Sequence, residues 1–109
     1  MYRRFAENEV KPLAEEMDET EVYSMELLAK MHKYGLMGIP YSKEYGGVGG
    51  DYLSYALCME EVSKIDGSTG ITVSVHTSLC CSCIDSFGTE EQKQKFLRPL
   101  IDGSKTGCY

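Results

Sequence analysis

The sequence has no apolar run that is long and clean enough to cross a bilayer. Its best candidate, residues 68–86, is interrupted by several hydroxyl side chains and by His76. The first ten residues, MYRRFAENEV, include basic side chains but no apolar core of the kind that a secretory signal carries. We therefore expect neither a membrane partner nor a secretory signal.

Positive charge is also scarce. The 109 residues include 11 Lys and Arg against 17 Asp and Glu, which gives a formal net charge of −6 and a pI near 4.9. Such a balance argues against nucleic acid and against an anionic membrane surface as partners. The length suits one domain with one modest core, and we place that domain at residues 1–109.

The five cysteines do not form a disulfide framework, because their number is odd and three lie together at Cys80, Cys81 and Cys83. This pattern favours a reducing, cytoplasmic location. Cys80 and Cys83 match a CxxC spacing, but a redox pair usually opens a helix, whereas these thiols lie deep in an apolar stretch. A zinc site needs about four ligands, and no second Cys/His pair has metal spacing. We predict that these three thiols pack in the core, react slowly with thiol reagents and form no metal site. The alternative is a redox or metal-binding function.

The residues from Ser68 to Ser86 organise the chain. They contain no Lys, Arg or Glu, and Gly88 follows them, which is typical of one buried helix. Their β-branched content would also suit a strand. Length decides for a helix, because strands rarely reach this span. We predict a buried central helix with the other segments packed around it.

Four amphipathic segments are predicted to surround that helix. They are residues 2–17 with a kink at Pro12, a helix from a Ser24 cap to Gly35, a helix from an Asp51 cap to Asp66, and a helix from a Thr89–Gln92 capping box to Gly103 with a kink at Pro99. Residues 18–23 are interpreted as a connection, and residues 104–109 as the start of a strand. The predicted inward faces are Leu27, Leu28 and Met31; Tyr52, Tyr55, Ala56, Met59 and Val62, widened by Leu53 and Leu57; and Phe96, Leu97, Leu100 and Ile101. The fold class is therefore all-α, an up-and-down bundle of about five helices.

The longest predicted loop, LMGIPYSKEYGGVGGD, has four glycines just before a helix. A glycine-rich turn at a helix N-terminus can bind phosphate. Here no Gly-Lys-Ser/Thr follows, the GxGxxG spacing fails at Tyr52, and Asp51 places negative charge at the helix start. A structural turn with positive φ angles is the favoured interpretation.

One face of the central helix could bind a ligand. Thr72, Val75, His76 and Leu79 follow the spacing i, i+3, i+4 and i+7, and could line an apolar tunnel or simply meet another helix. His76 has no acid or nucleophile nearby in the sequence, so a core or pocket-lining role is favoured over catalysis. The spacing alone does not choose between these roles.

The chain resembles the N-terminal helical domain of the acyl-CoA dehydrogenases, and within them the short-chain, butyryl-CoA type. The resemblance rests on FAENEVKPLAEEMDET, on ELLAKMHKYGLMGIPYSKEYGGVGGDYLSYALCMEEVSKID, on STGITVSVHTSL and on FGTEEQKQKFLRPLIDGSKTGCY. It runs nearly end to end and implies further residues on both sides of this chain in family members.

The resemblance also implies a reaction and a division of labour. The family uses FAD to oxidise an acyl-CoA to the trans-2-enoyl-CoA, and its catalytic Glu and most flavin contacts lie in a middle β-domain and a C-terminal domain. Glu60 and Glu61 are not expected to replace that base, because we place both on a solvent face.

The residues at the family's substrate and cofactor positions can be named. Thr72, Val75, His76 and Leu79 fall at positions that form one wall of the tunnel for the acyl tail, although relatives carry a small or amide residue where this chain has His76. Tyr109 falls at the aromatic position that borders the flavin. We expect the chain alone to be inactive, to bind no FAD and to form a homo-oligomer, with an orphan helical dimerisation or interaction module as the alternative.

Overall fold

The structure, a computed structural model, describes all 109 residues and contains helices but no β-strand. The prediction of an all-α fold is confirmed. The five helices are α1 (Tyr2–Phe5, Ala6–Val10 and Lys11–Thr20), α2 (Met25–Lys33), α3 (Tyr52–Ile65), α4 (Gly67–Ser74, Val75–Cys81 and Ser82–Phe87) and α5 (Glu90–Gln92, Lys93–Leu97 and Arg98–Asp102). A single 3₁₀ turn, Lys43–Tyr45, interrupts the loop between α2 and α3.

Three of the helices contain a wider, π-helical segment. In α1 this segment is Ala6–Val10, and it ends two residues before Pro12. In α5 it is Lys93–Leu97, and it ends two residues before Pro99. A proline ring cannot donate to the carbonyl four residues earlier and clashes with it, so a locally wider turn relieves both problems. The predicted kinks at Pro12 and Pro99 stay predictions; the structure shows a π-helical segment before each proline, and both helices continue past it.

The predicted helix caps are present. Ser24, Asp51 and Thr89 each accept a hydrogen bond from the backbone N–H three residues later, and Gln92 completes the capping box on Thr89. Asp66 does more than end α3, because its carboxylate accepts from the backbone at the start of α4. Each such cap stabilises a helix by about 1 kcal/mol, so polar side chains fix where four of the five helices begin.

The core has two parts. The larger cluster joins α1, α2, α3, the start of α4 and the residues that follow α2; its buried members are Phe5, Ala6, Val10, Leu27, Leu28, Met31, Leu36, Met37, Ile39, Cys58, Val62 and Val73. The smaller cluster fastens α5 and the loop to the second half of α4; its members are Tyr41, Tyr45, Cys81, Leu97, Leu100 and Ile101.

Two predicted inward faces are partly wrong. On α3 the buried residues are Cys58 and Val62, with Tyr55 and Met59 half-buried, whereas Tyr52, Leu53, Ala56 and Leu57 are exposed. On α5 the side chain of Phe96 is half exposed, while Leu97, Leu100 and Ile101 are buried as predicted. An amphipathic pattern marks apolar positions, but the number of neighbouring helices determines how wide a stripe is covered.

Two boundaries also differ from the prediction. Helix α1 extends through Thr20, and Glu21 ends it in a left-handed conformation with φ of 58°, so the predicted connection at residues 18–23 is too long at its start. Residues 104–109 do not form a strand. Gly103 ends α5 with φ of 92°, as predicted for a C-terminal glycine.

Helix α4 packs against α3 and α5, but only one side of it is buried, so the prediction of a helix enclosed by the other segments is wrong for its other side. The buried residues are Thr69, Gly70, Val73, His76, Thr77 and Cys81. The other side is open to solvent in this chain, with Ile71 and Leu79 exposed. No helix of the protein is long and apolar enough to span a membrane.

Candidate functional site

The four residues predicted to form one face of α4 do not lie on one face. Thr72 and Val75 are half-buried and Leu79 is 43% exposed, whereas His76 is completely buried. Val75, His76 and Leu79 belong to the π-helical segment, in which the rotation per residue is smaller than in an α-helix. At about 100° per residue, His76 is turned about 40° from Thr72 and about 60° from the buried Val73, so it lies at the edge of the buried side. It points into the bundle, while the other three line the outer surface.

The buried side of this segment forms a small polar cluster. Nδ1 of His76 accepts a hydrogen bond from the backbone N–H of Gly107 at 3.0 Å, and Nε2 lies 3.6 Å from Sγ of Cys81. The His76 ring stands edge-on to the ring of His32, with 5.3 Å between centroids. Because Nδ1 acts as an acceptor, the neutral imidazole carries its proton on Nε2, from which it donates to the sulfur.

The cluster is not poised for acid–base chemistry at neutral pH. Burial, with a smaller contribution from His32, lowers the pKa of His76 to about 4. Burial also lowers the pKa of His32 and raises the pKa of the Cys81 thiol to about 12. All three side chains are therefore neutral at pH 7, and none can serve as an effective base or nucleophile there.

Some polar atoms near the cluster lack partners. The two ring nitrogens of His32 and the hydroxyl of Thr77 are buried without a hydrogen bond. The backbone carbonyl of Thr77, in contrast, accepts a hydrogen bond from the hydroxyl of Tyr41. Burial raises the pKa of Tyr41, which keeps that hydroxyl protonated as a donor. Sequence patterns did not reveal this cluster, because its members come from three distant segments.

The glycine loop is explained by its own packing. Gly46 and Gly49 have φ angles of 91° and 72°, and a Cβ on Gly47 would lie 2.2 Å from the carbonyl oxygen of Tyr41. The carboxylate of Asp51 caps the following helix at 2.7 Å. These features support the structural turn and leave no anion-binding helix start.

The cysteines fall into two groups. Cys58 and Cys81 are fully buried, which confirms the predicted core position of Cys81; the burial of Cys58 was not predicted. Cys83 and Cys108 are exposed and Cys80 is half-buried, so the prediction that the whole 80–83 group lies in the core is wrong for Cys83. Cys83 lies one turn beyond Cys80 on the outer side of α4. No group of three His, Cys, Asp or Glu side chains is arranged to hold a metal ion.

The two acids of α3 differ from each other. Glu60 is exposed, but Glu61 forms a two-point ion pair with Arg3, with both N–O distances at 3.2 Å. Its side chain is only 17% exposed, so the predicted solvent position is wrong for Glu61. The Arg3 guanidinium lowers the pKa of the Glu61 carboxyl, which makes it a weaker base than an ordinary glutamate.

Tyr109, the predicted cofactor-bordering residue, is 90% exposed at the end of the segment that follows α5. Tyr109 lines none of four surface clefts, which involve α1, α2, the residues next to them, the junction of α3 and α4, and residues 103–106. One exposed aromatic ring cannot enclose a flavin, so the residues of this chain do not fit FAD by themselves.

The fold and the site thus define an all-helical domain whose central helix has one buried side and one open, uncharged side. The chain belongs to the family of acyl-CoA dehydrogenase N-terminal domains, whose family model matches residues 1–104.

Individual relatives agree with this assignment. The short-chain specific acyl-CoA dehydrogenase of Clostridium acetobutylicum is 62% identical over 109 residues, which are 100% of this chain and 29% of that protein. The structure of butyryl-CoA dehydrogenase from Megasphaera elsdenii is 41% identical, with a TM-score of 0.90 over 97% of this chain and 28% of that one. A chain from work on the electron transferring flavoprotein of Acidaminococcus fermentans is 47% identical, with a TM-score of 0.93 over 97% of this chain and 28% of that one. The chain therefore spans less than a third of the length of these relatives.

Proposed function

We propose that this chain acts as the N-terminal domain of a FAD-dependent dehydrogenase of short-chain acyl-CoA, and that the outer side of α4 forms one wall of the tunnel for the acyl tail. The observation that carries the proposal is the contrast between the two sides of α4. One side is buried, while Thr72, Val75 and Leu79 are partly open and uncharged. An apolar surface of this kind suits a short hydrocarbon tail.

The proposed reaction is oxidation of a short-chain acyl-CoA to the trans-2-enoyl-CoA in the cytoplasm. Removal of an α-proton requires a base next to the substrate, and hydride removal requires the flavin. Within this chain Glu61 is engaged by Arg3 and His76 is buried, so neither can reach a substrate on the outer side of α4. We expect the isolated chain to be inactive, and the base and most flavin contacts to come from other domains.

A domain replacement tests the proposal. This chain would replace the matched 109 residues of the Clostridium acetobutylicum relative, to which it is 62% identical. We expect the chimera to bind FAD and to reduce an artificial electron acceptor in the presence of butyryl-CoA. Chimeras without flavin absorbance or without activity would contradict the proposed function.

The tunnel wall needs its own control. Leu79→Asp places a charge where the acyl tail would lie, whereas Leu57→Asp changes a leucine of similar exposure (46% against 43%) on α3. We expect Leu79→Asp to lower kcat/KM for butyryl-CoA at least tenfold at unchanged FAD content, since burying an unpaired charge costs more than about 1.4 kcal/mol. Equal effects of the two changes would contradict the assignment of α4 as the wall.

A second candidate is a helical module that associates with copies of itself. The observation that favours it is the number of large apolar side chains left in solvent, which include Leu53, Leu57, Ile71, Leu79 and Phe87. Apolar surface of this kind is usually covered by a partner. A colourless, stable oligomer of the chain, together with an inactive chimera, would favour this candidate.

A further inference from the structure

We propose that His76 is a positioning residue: its neutral imidazole accepts the backbone N–H of Gly107 and thereby fixes residues 104–109 on α4. The anchoring itself is independent of the proposed function. Its consequence for Tyr109, which follows Gly107 by two residues, rests on that function, because a flavin-bordering ring must be held in one place.

The first observation is the hydrogen bond between α4 and this segment. Gly107 N donates to Nδ1 of His76 at 3.0 Å, and the imidazole that accepts it is fully buried. Hydrogen bonds nearer to α5, from Ser104 to Asp102 and from Lys105 to Pro99, are local to the end of that helix. The bond to His76 thus ties the segment to a helix more than 30 residues earlier in the chain.

The second observation is the closeness of the segment to α4. A Cβ on Gly107 would lie 2.6 Å from Sγ and 2.8 Å from Cβ of Cys80, which is one helical turn beyond His76. Only a residue without a side chain fits against the helix at this distance. At the other end of the segment Gly103 lies against the His32 ring, since its Cβ would approach Cβ and Cγ of His32 to 3.0 Å. Two glycines therefore let the backbone run directly over the pair of histidines.

The anchoring requires an uncharged imidazole. In imidazolium both ring nitrogens are donors, so Nδ1 could no longer accept from Gly107. The titratable groups around His76 are His32 from α2, Cys80 and Cys81 from α4 itself, Tyr41 from the loop beside Thr77 and Cys108 from the anchored segment, with Asp102 of α5 on the far side of His32. None of them gives His76 a carboxylate partner, which is consistent with a group that stays neutral.

Amide hydrogen exchange in the chain itself tests the anchor. His76→Asn keeps an acceptor oxygen close to the position of Nδ1, whereas His76→Leu has a similar volume and no acceptor. We expect exchange of the Gly107 amide to become about tenfold faster in His76→Leu, which corresponds to about 1.4 kcal/mol and to the net value of one hydrogen bond. In His76→Asn it should stay within about threefold of the parent. The Val62 amide in the core serves as the internal reference and should change little in either variant.

The tautomer and the pH profile give a second readout. The ¹⁵N spectrum of the parent should show His76 protonated on Nε2 and not on Nδ1. Protection of the Gly107 amide, corrected for intrinsic exchange, should fall as the pH is lowered towards 4, where burial has moved the pKa of His76, and should remain flat in His76→Asn.

Four results would overturn the proposal: a proton on Nδ1, unchanged Gly107 protection in His76→Leu, equal loss in the two variants, or a loss at Val62 as large as at Gly107. If His76→Leu does not fold, Gly107→Ala tests the same anchor with His76 intact. It should lift the segment and speed labelling of the Cys80 thiol several-fold while labelling of Cys81 stays slow, and unchanged Cys80 labelling would refute the close approach. Failure of the domain replacement would leave these results untouched, so the two proposals are tested separately.

Discussion

Replacing Gly47 with alanine should destabilise the protein through one backbone contact. The new Cβ would lie 2.2 Å from the carbonyl oxygen and 2.6 Å from the carbonyl carbon of Tyr41. Both atoms belong to the backbone, so no rotation of a side chain relieves the overlap. Tyr41 is held in turn, because its ring is buried and its hydroxyl donates to the carbonyl of Thr77 on α4.

The size of the effect follows from two routes of relaxation. If the loop stays closed, an overlap of this kind costs about 1–3 kcal/mol. If it opens, the N–H groups of residues 47–50 lose their bonds to the carbonyls of Ser42, Gly38, Tyr41 and Ile39, which are 2.8–3.0 Å long. Four such bonds at about 1 kcal/mol each make about 4 kcal/mol. The protein takes the cheaper route, in which the loop stays closed, so we expect a loss of about 1–3 kcal/mol.

Urea denaturation followed by far-UV circular dichroism measures this loss, with thermal unfolding as a second measure. At roughly 4–8 °C per kcal/mol for a domain of this size, Tm should fall by about 4–24 °C. Gly67→Ala is the matched control, because Gly67 is the first residue of α4 and a Cβ there meets nothing within 4 Å. It should leave the free energy of unfolding within about 0.5 kcal/mol of the parent.

Two outcomes would refute this reasoning. A Gly47→Ala protein as stable as the parent would show that the loop accepts a Cβ at this position without loss. Equal losses in Gly47→Ala and Gly67→Ala would show that the glycines matter for a reason other than the contact with Tyr41.

The remaining predictions concern thiols, packing, pH and association. Cys83 should react with a thiol reagent in the native protein while Cys81 does not, since Cys83 is exposed and burial raises the pKa of Cys81 to about 12; equal rates by mass spectrometry would contradict this. Leu97→Ala, at a fully buried position, should cost about 2–5 kcal/mol in urea denaturation. The pKa of His76 is about 4 in the folded state and 6.5 in the unfolded chain, so the unfolded state binds more protons between these pH values. The free energy of unfolding should therefore be highest above about pH 6.5 and fall by roughly 3 kcal/mol towards pH 4. A His76→Asn protein with the same pH dependence would show that His76 does not cause the fall. The chain should sediment as a dimer or larger species that Val75→Asp weakens, and a strict monomer at high micromolar concentration would contradict the expected association.

Much of the fold could be predicted from local chemistry. The caps at Ser24, Asp51 and Thr89 and the left-handed stop at Gly103 all lie where the sequence predicts them. Such features act over three or four residues, so the information that specifies them is local in the sequence. The stretch without Lys, Arg or Glu correctly indicated a helix with a buried side, but it did not show that the other side of α4 is open in this chain.

The width of the buried faces could not be predicted in the same way. Tyr52 and Leu53 belong to an apolar stripe on α3, yet they are exposed because α1 and α4 cover only the side that carries Cys58 and Val62. The fraction of a helix surface that is buried depends on how many helices pack against it, and the periodicity of apolar residues does not show how many there are. Glu61 shows the same limit, since its partner Arg3 is 58 residues away in the sequence.

The candidate site could be predicted only in part, because the sequence did not show that His76 lies on the other side of α4 from Val75 and Leu79. Two of the three π-helical segments precede prolines, but Val75–Cys81 contains no proline and no glycine from which a π-helical turn could be predicted. His76 is turned about 40° from Thr72 and about 60° from the buried Val73, so the spacing alone does not decide which side it takes. An apolar outer side and a buried polar cluster therefore arise from one short stretch of a single helix. π-helical turns often occur at functional sites, and this one carries both Val75 and Leu79 of the proposed tunnel wall and His76, the proposed anchor of the segment that ends at Tyr109.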